Sequence, residues 1–152
     1  MKFNAVWKIL SFALILGFVS CGDDDAENRE QFLGTWNGTL SGCNIDIDFM
    51  GQQQTYNIPN LPMTMAFTAG TADNAVAITV ASAFFADTNA TGTVNDNVVT
   101  IDPFTVELNA GPNNTIAMTL SGPATLSGSS ITMDAKVEAL EGESQCSLEL
   151  TK

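Results

Sequence analysis

Apolar and polar residues alternate in short runs along most of the chain. Alternation with a period of two places successive side chains on opposite faces and is typical of half-buried β-strands. In the clearest run, residues 131–138, Ile, Met, Ala and Val alternate with Thr, Asp, Lys and Glu. The predicted inward-facing residues of the other runs are Trp36 and Leu40; Ile45, Ile47 and Phe49; Met63, Met65 and Phe67; Val76, Ile78 and Val80; Val99, Ile101, Phe104, Val106 and Leu108; Ile116, Met118 and Leu120; Cys146, Leu148 and Leu150.

Turn-forming residues separate these runs, for example Ser41-Gly42, Asn95-Asp96 and Ser127-Gly128. No stretch of ten residues has the period of an amphipathic helix. Short strands with one apolar face bury that face by closing into a barrel or by packing as two sheets. We therefore predict an all-β fold, an antiparallel up-and-down β-barrel of about 8–10 strands. A β-sandwich is the alternative.

The first twenty residues have the pattern of an export signal. Residues 9–19 are almost wholly apolar, follow two lysines and end before Cys21. The run is shorter than the roughly 20 apolar residues of a transmembrane helix, and we predict a cleaved signal peptide over residues 1–20. Residues 18–21 (FVSC) resemble a lipobox, the lipid-attachment sequence of bacterial lipoproteins. The resemblance implies acyl chains on Cys21 that hold the protein at a membrane; an ordinary cleaved signal is the alternative.

The segment after Cys21 is polar and acidic, so we predict that residues 21–31 form a flexible tether. Asp23, Asp24 and Asp25 follow the cysteine almost directly. Such a cluster resembles the surface-export signal of Bacteroidota lipoproteins. The resemblance implies a lipid-anchored protein on the cell surface, at the outer membrane. In the alternative interpretation the acids only solvate the tether, and the protein faces the periplasm.

The remaining two cysteines, Cys43 and Cys146, share the inward parity of their strands. A secreted protein lies in an oxidising compartment, where an even number of remaining cysteines favours a disulfide. A Cys43–Cys146 bond would bring the beginning of the second strand against the last strand, as in a closing barrel. The alternative is two separate buried thiols.

The predicted domain, residues 32–152, begins with Gly34-Thr35-Trp36 near its first strand. This Gly-x-Trp motif resembles the opening of lipocalins and related calycin barrels. The resemblance implies that Trp36 closes the barrel floor beneath a cationic side chain from a late strand, for which Lys136 is the candidate. It also implies a cavity for a small apolar molecule, although large inward residues could equally fill the barrel. The candidate lining residues are Phe49, Met63, Met65, Phe67, Phe104, Met118 and Met133.

Charge and composition exclude several functions. Without residues 1–20 the basic residues are Arg29, Lys136 and Lys152 against 17 acidic residues, which leaves a net charge of −14. Such a chain repels nucleic acid. The absence of histidine removes the usual general base and the usual zinc ligand. Residues 87–92 (DTNATG) copy part of a calcium loop but lack its final acidic ligand, and we interpret them as a turn. We predict no metal, no cofactor and no enzymatic activity.

We expect from these features a non-enzymatic binding module, anchored to the outer membrane by lipid. Its ligand would be a small hydrophobic molecule bound in or at the mouth of the barrel. The alternative function is a structural or accessory protein of an outer-membrane assembly, with a filled barrel and a protein partner.

Overall fold

The computed structural model describes residues 23–111, 114–140 and 142–152. Within these ranges it contains a short helix followed by ten strands. The elements are α1 (Asp23–Glu30), β1 (Gly34–Ser41), β2 (Asn44–Phe49), β3 (Gln52–Asn57), β4 (Leu61–Ala69), β5 (Ala75–Ser82), β6 (Phe85–Asn95), β7 (Val98–Gly111), β8 (Asn114–Ser127), β9 (Ser130–Ala139) and β10 (Gly142–Thr151).

Eight strands close into an antiparallel up-and-down barrel in the order β1-β10-β9-β8-β7-β6-β5-β4. Closure occurs at β1, which pairs with β4 on one side and with β10 on the other. Strands β2 and β3 pair only with each other in the sheet topology, as a hairpin inserted between β1 and β4. The predicted all-β barrel is confirmed, and the β-sandwich alternative is wrong.

Strand alternation fills the barrel with apolar side chains. In β9, for example, Ile131, Met133, Ala135 and Val137 are buried, whereas Glu138 is exposed. Among the described residues, no polar or charged residue is buried. Burial of one continuous apolar core is the main favourable term in folding, and here it makes the barrel interior a packed core.

One end of the barrel, where β1 begins and β10 ends, is covered by the chain that follows α1. We call it the closed end. Phe32 is fully buried there, with its ring centroid 6.4 Å from that of Phe67. Arg29 Nη1 donates a hydrogen bond to the carbonyl of Ala72 at 3.0 Å. The segment expected to be a flexible tether thus includes α1, because Arg29 in its last turn binds the β4–β5 connection while Phe32 enters the core.

At the opposite end, which we call the open end, the β2–β3 hairpin lies against the start of β10. Asn44 N donates to Ser144 Oγ at 3.0 Å, and Ile58 N donates to Cys43 O at 3.0 Å. A Cβ atom on Gly142 would lie 2.6 Å from Asp46 O. Glycine is therefore the residue that permits this close approach of the hairpin to the barrel.

The predicted disulfide joins the same two elements. Cys43 and Cys146 are both buried, their Cα atoms lie 4.7 Å apart, and the bond spans 103 positions of sequence. The prediction is confirmed. The bond fixes the base of the hairpin to β10 at the open end.

Candidate functional site at the open end of the barrel

A cavity of about 80 Å³ lies at the open end, beneath the base of the β2–β3 hairpin. Its lining is largely apolar and comes from the hairpin, the turns and the strand ends around the mouth. The lining residues are Ile45, Tyr56, Ile58, Pro59, Leu61, Phe84, Leu108, Asn109, Ile116, Ala139 and Leu140.

Three large apolar side chains among these lining residues are exposed and form what we call the open-end patch: Tyr56, Phe84 and Leu140. They are 41%, 41% and 40% exposed. Among the described side chains, the other exposed large apolar residue is Met50, at the tip of the hairpin, with an exposure of 90%. Exposed apolar side chains that converge on one cavity, instead of scattering over the surface, indicate a binding surface.

The backbone at Leu140 supports this interpretation. Leu140 has a φ of 52°, in the left-handed region that bulky residues rarely adopt. At the closed end the corresponding turn positions carry Asp96 (φ 53°) and Gly128 (φ 62°), the residue types that suit this conformation. A leucine here adds conformational strain and leaves its side chain half exposed, so core packing does not account for it. Strained backbone of this kind concentrates at functional sites.

The ladder between β6 and β7 is short and lies toward the closed end. Strands β6 and β7 pair through four residue pairs, ending at Gly92–Ile101, whereas β7 and β8 pair through eleven. Near the mouth, Asn109 N donates to Phe84 O at 3.1 Å. Pro103, which lies between these points, has no N–H to donate. Toward the open end, β6 and β7 are therefore joined by fewer ladder pairs than β7 and β8.

The candidate lining residues of the sequence analysis occupy another place. Met63, Met65, Phe67, Phe104, Met118 and Met133 are all buried in the barrel core, and none of them lines the cavity. Phe49 belongs to β2, and its side chain lies outside the described ones. Sequence parity predicts which residues point inward, but the depth of each along the barrel decides which of them reach the mouth.

At the closed end, Trp36 is buried beneath a cation, Lys152, that the sequence analysis missed. The indole is 1% exposed, and its Nε1 donates to Phe32 O at 2.7 Å. Lys152 Nζ lies 4.7 Å from the centroid of the Trp36 ring. Gly34 (φ 114°) lies beside the same lysine, because a Cβ there would be 3.4 Å from Lys152 Cε. The Gly-x-Trp motif thus packs under the last residue of the sequence.

Lys136 does not take the position over Trp36. It lies on the outer surface, where its Nζ pairs with Glu138 Oε1 at 2.7 Å and with Glu143 Oε2 at 3.0 Å. The hydrogen bond to Glu138 and, to a smaller extent, the hydrogen bond to Glu143 raise the pKa of the Lys136 ammonium group above its usual value. Its outward parity, read from the alternation in β9, accounts for this position.

The remaining predicted residues belong to the N-terminal segment. Asp23, Asp24 and Asp25 form the first turn of α1, and Cys21 lies outside the described residues. Within residues 23–111, 114–140 and 142–152, no helix is long and apolar enough to cross a membrane. In the same ranges no three Cys, Asp or Glu side chains converge on a point that could hold a metal ion.

No protein-family model matches this sequence, and no curated protein matches it.

Proposed function

We propose that this protein is a lipid-anchored, non-enzymatic binding module on the surface of the outer membrane, and that its open end binds an apolar group. The observation that carries the proposal is the open-end patch, Tyr56, Phe84 and Leu140, which surrounds an apolar cavity at the mouth of a filled barrel.

The size of the cavity defines the mode of binding. Sites that enclose a small molecule usually have volumes of about 300–1,000 Å³, whereas this cavity has about 80 Å³. One water-sized group needs roughly 10–15 Å³. The cavity therefore has room for a few such groups, as in an apolar side chain or the end of an acyl chain. The packed interior therefore favours an apolar group presented by a larger partner, the accessory-protein alternative, over a ligand carried inside the barrel.

The position of the anchor is compatible with this role. Cys21 precedes α1 by two residues, and the chain after α1 covers the closed end. Eight helical residues span about 12 Å. Acyl chains on Cys21 would therefore tether the closed end near the bilayer and leave the open end accessible to partners.

Cell fractionation tests the anchor. Cys21→Ser should move the protein from the membrane fraction to the soluble fraction, since acyl chains supply about 0.8 kcal/mol per buried CH₂ group. Protease treatment of intact cells should degrade the wild-type protein if it is displayed on the surface. Membrane retention of the Cys21→Ser variant would overturn the lipid anchor.

A binding assay tests the open end. The full lipidated chain is placed in phosphatidylcholine nanodiscs and titrated with an uncharged peptide that carries a central Leu-Phe pair between serines. Phe84→Ser and Leu140→Asn should each weaken binding by about tenfold or more, because burial of such a side chain is worth roughly 1.5–3 kcal/mol. Asp96→Asn is the control: Asp96 is exposed and also has a positive φ, but it lies at a turn of the closed end and does not line the cavity. Equal binding by all four proteins would refute the proposed site.

A further inference from the structure

The two ends of the barrel differ in their positive charges. Arg29 and Lys152 lie at the closed end, where one binds the Ala72 carbonyl and the other lies over Trp36. Lys136 is the remaining basic residue in the part of the chain that the structure describes. It lies toward the open end, where two carboxylates neutralise it.

Several exposed carboxylates lie close in sequence to residues that line the open-end cavity. Asp46 lies on β2 of the hairpin, one position from the lining residue Ile45. Asp87 follows Phe84 closely on β6, and Glu107 directly precedes Leu108 on β7. All three are exposed. With Glu138 and Glu143, these are five carboxylates toward the open end, against one lysine among the described residues there, Lys136, which already pairs with two of them.

This arrangement selects among apolar ligands. A fatty acid or an anionic lipid would bring a negative charge close to these carboxylates, and like charges at an interface cost binding free energy. A ligand that carries positive charge beside its apolar group would instead gain attraction at the rim and faster association. The carboxylates near the open-end patch therefore disfavour anionic lipids. The patch itself still favours an apolar group on the ligand.

The hairpin extends this surface beyond the cavity. Met50 lies five residues from Ile45 along β2, about 17 Å at 3.4 Å per strand residue, and its side chain is 90% exposed. Like Leu140, it occupies a left-handed turn position (φ 57°) that favours Asn or Gly over a large apolar residue. A surface of this length exceeds a small molecule and suits an extended polypeptide.

Building on the proposed function, we infer that the ligand of the open end is a basic segment of a partner protein. One apolar side chain of this segment enters the cavity between Tyr56, Phe84 and Leu140. Lysine or arginine residues on either side of it meet the carboxylates of the rim. The hairpin tip at Met50 gives the flanking chain a further apolar contact.

Three peptides test this inference on the full lipidated chain in phosphatidylcholine nanodiscs. Each has the same central Leu-Phe pair, flanked by two lysines, two serines or two glutamates on each side. The lysine peptide should bind about tenfold or more tighter than the serine peptide at low ionic strength, and the glutamate peptide should bind most weakly. The preference should shrink as salt is raised, because salt screens exposed charges. Empty nanodiscs correct for binding to lipid.

Matched charge variants locate the effect. Asp87→Asn with Glu107→Gln removes two carboxylates at the open end, and Asp73→Asn with Asp96→Asn removes two at turns of the closed end. The open-end pair should weaken binding of the lysine peptide and flatten its salt dependence, while leaving the serine peptide unaffected. The closed-end pair should change neither. Met50→Asn should weaken the lysine peptide by a smaller factor than Phe84→Ser.

The outcomes separate this inference from the proposed function. Equal affinity for all three peptides, with each affinity lowered by Phe84→Ser, would overturn the inference that the partner segment is basic. The proposed apolar site would not be affected by that result. If Phe84→Ser leaves the affinity for the lysine peptide unchanged, both this inference and the proposed apolar site would be overturned, since charge alone would then account for binding. Flotation of the Cys21→Ser protein, but not of the Cys21→Ser/Phe84→Ser variant, with neutral vesicles would also overturn the inference, because the occupant would then be a lipid surface.

Discussion

Lys152 and Trp36 are neighbours in the folded protein although 115 residues separate them: the Lys152 Nζ atom lies 4.7 Å from the centroid of the indole ring. The contact joins the two strands that close the barrel, because Trp36 lies on β1 and Lys152 follows β10 directly. A cation over an aromatic face is attracted by the ring quadrupole, so this pair stabilises the closure itself.

Lys152→Met should lower the free energy of unfolding by about 0.5–1 kcal/mol, the value typical of an exposed cation–π pair. Lys152→Arg is the control and should retain stability, because it keeps the positive charge over the ring. Urea denaturation followed by circular dichroism measures both. A methionine variant as stable as the wild type would show that the contact contributes nothing.

Cys43→Ala combined with Cys146→Ala should lower the free energy of unfolding by about 4–5 kcal/mol, as the chain-entropy model gives for a loop of roughly 100 residues. Hydrogen exchange should accelerate at the amide of Ile58, which donates to Cys43 O at the base of the hairpin. Chemical reduction of the wild-type protein should reproduce both changes. Unchanged stability after reduction would contradict the prediction.

Met118→Ala should lower the free energy of unfolding by about 2–5 kcal/mol, because truncation of a fully buried side chain leaves a cavity. Phe84→Ala should cost much less, since Phe84 is half exposed at the mouth. Thermal unfolding of the two variants measures the loss of stability at each position. Similar, small losses at both positions would contradict a packed barrel core.

Alkaline titration tests the Lys136 pairs. Since Glu138 and Glu143 raise the pKa of Lys136 in the folded state above 10.5, their stabilisation is fully present below that pH and is lost as pH rises through the folded pKa. The difference in unfolding free energy between the wild type and Lys136→Gln should therefore be constant near neutral pH and shrink above pH 10.5. A difference that already vanishes at neutral pH in low salt would refute the pairing.

Alternation predicted most of the barrel, and where it failed the reason is physical. Strand β3 (Gln52–Asn57) is exposed along its whole length, so no dry face imposes a pattern on it. The prediction of a turn over residues 87–92 is wrong, because these residues belong to strand β6. There the ladder partners in β5 override the weak strand propensity of Asp and Asn.

The candidate site was harder to predict than the fold. Tyr56, Phe84 and Leu140 belong to the hairpin and to two separate turns, far apart in sequence. The available sequence signal was a large apolar residue where a turn favours Gly, Asn or Asp, as at Leu140. Such a signal is local and does not reveal that Leu140 shares one cavity with Tyr56 and Phe84.

The sequence by itself determined the all-β class, the inward faces of most strands and the pairing of Cys43 with Cys146, because strand parity and burial are local consequences of residue order. Only the tertiary structure decided that the barrel is filled, that Lys152 rather than Lys136 covers Trp36, and that the exposed apolar residues meet at the open end. These depend on barrel register and on how deep each strand places its side chains, which sequence periodicity does not encode.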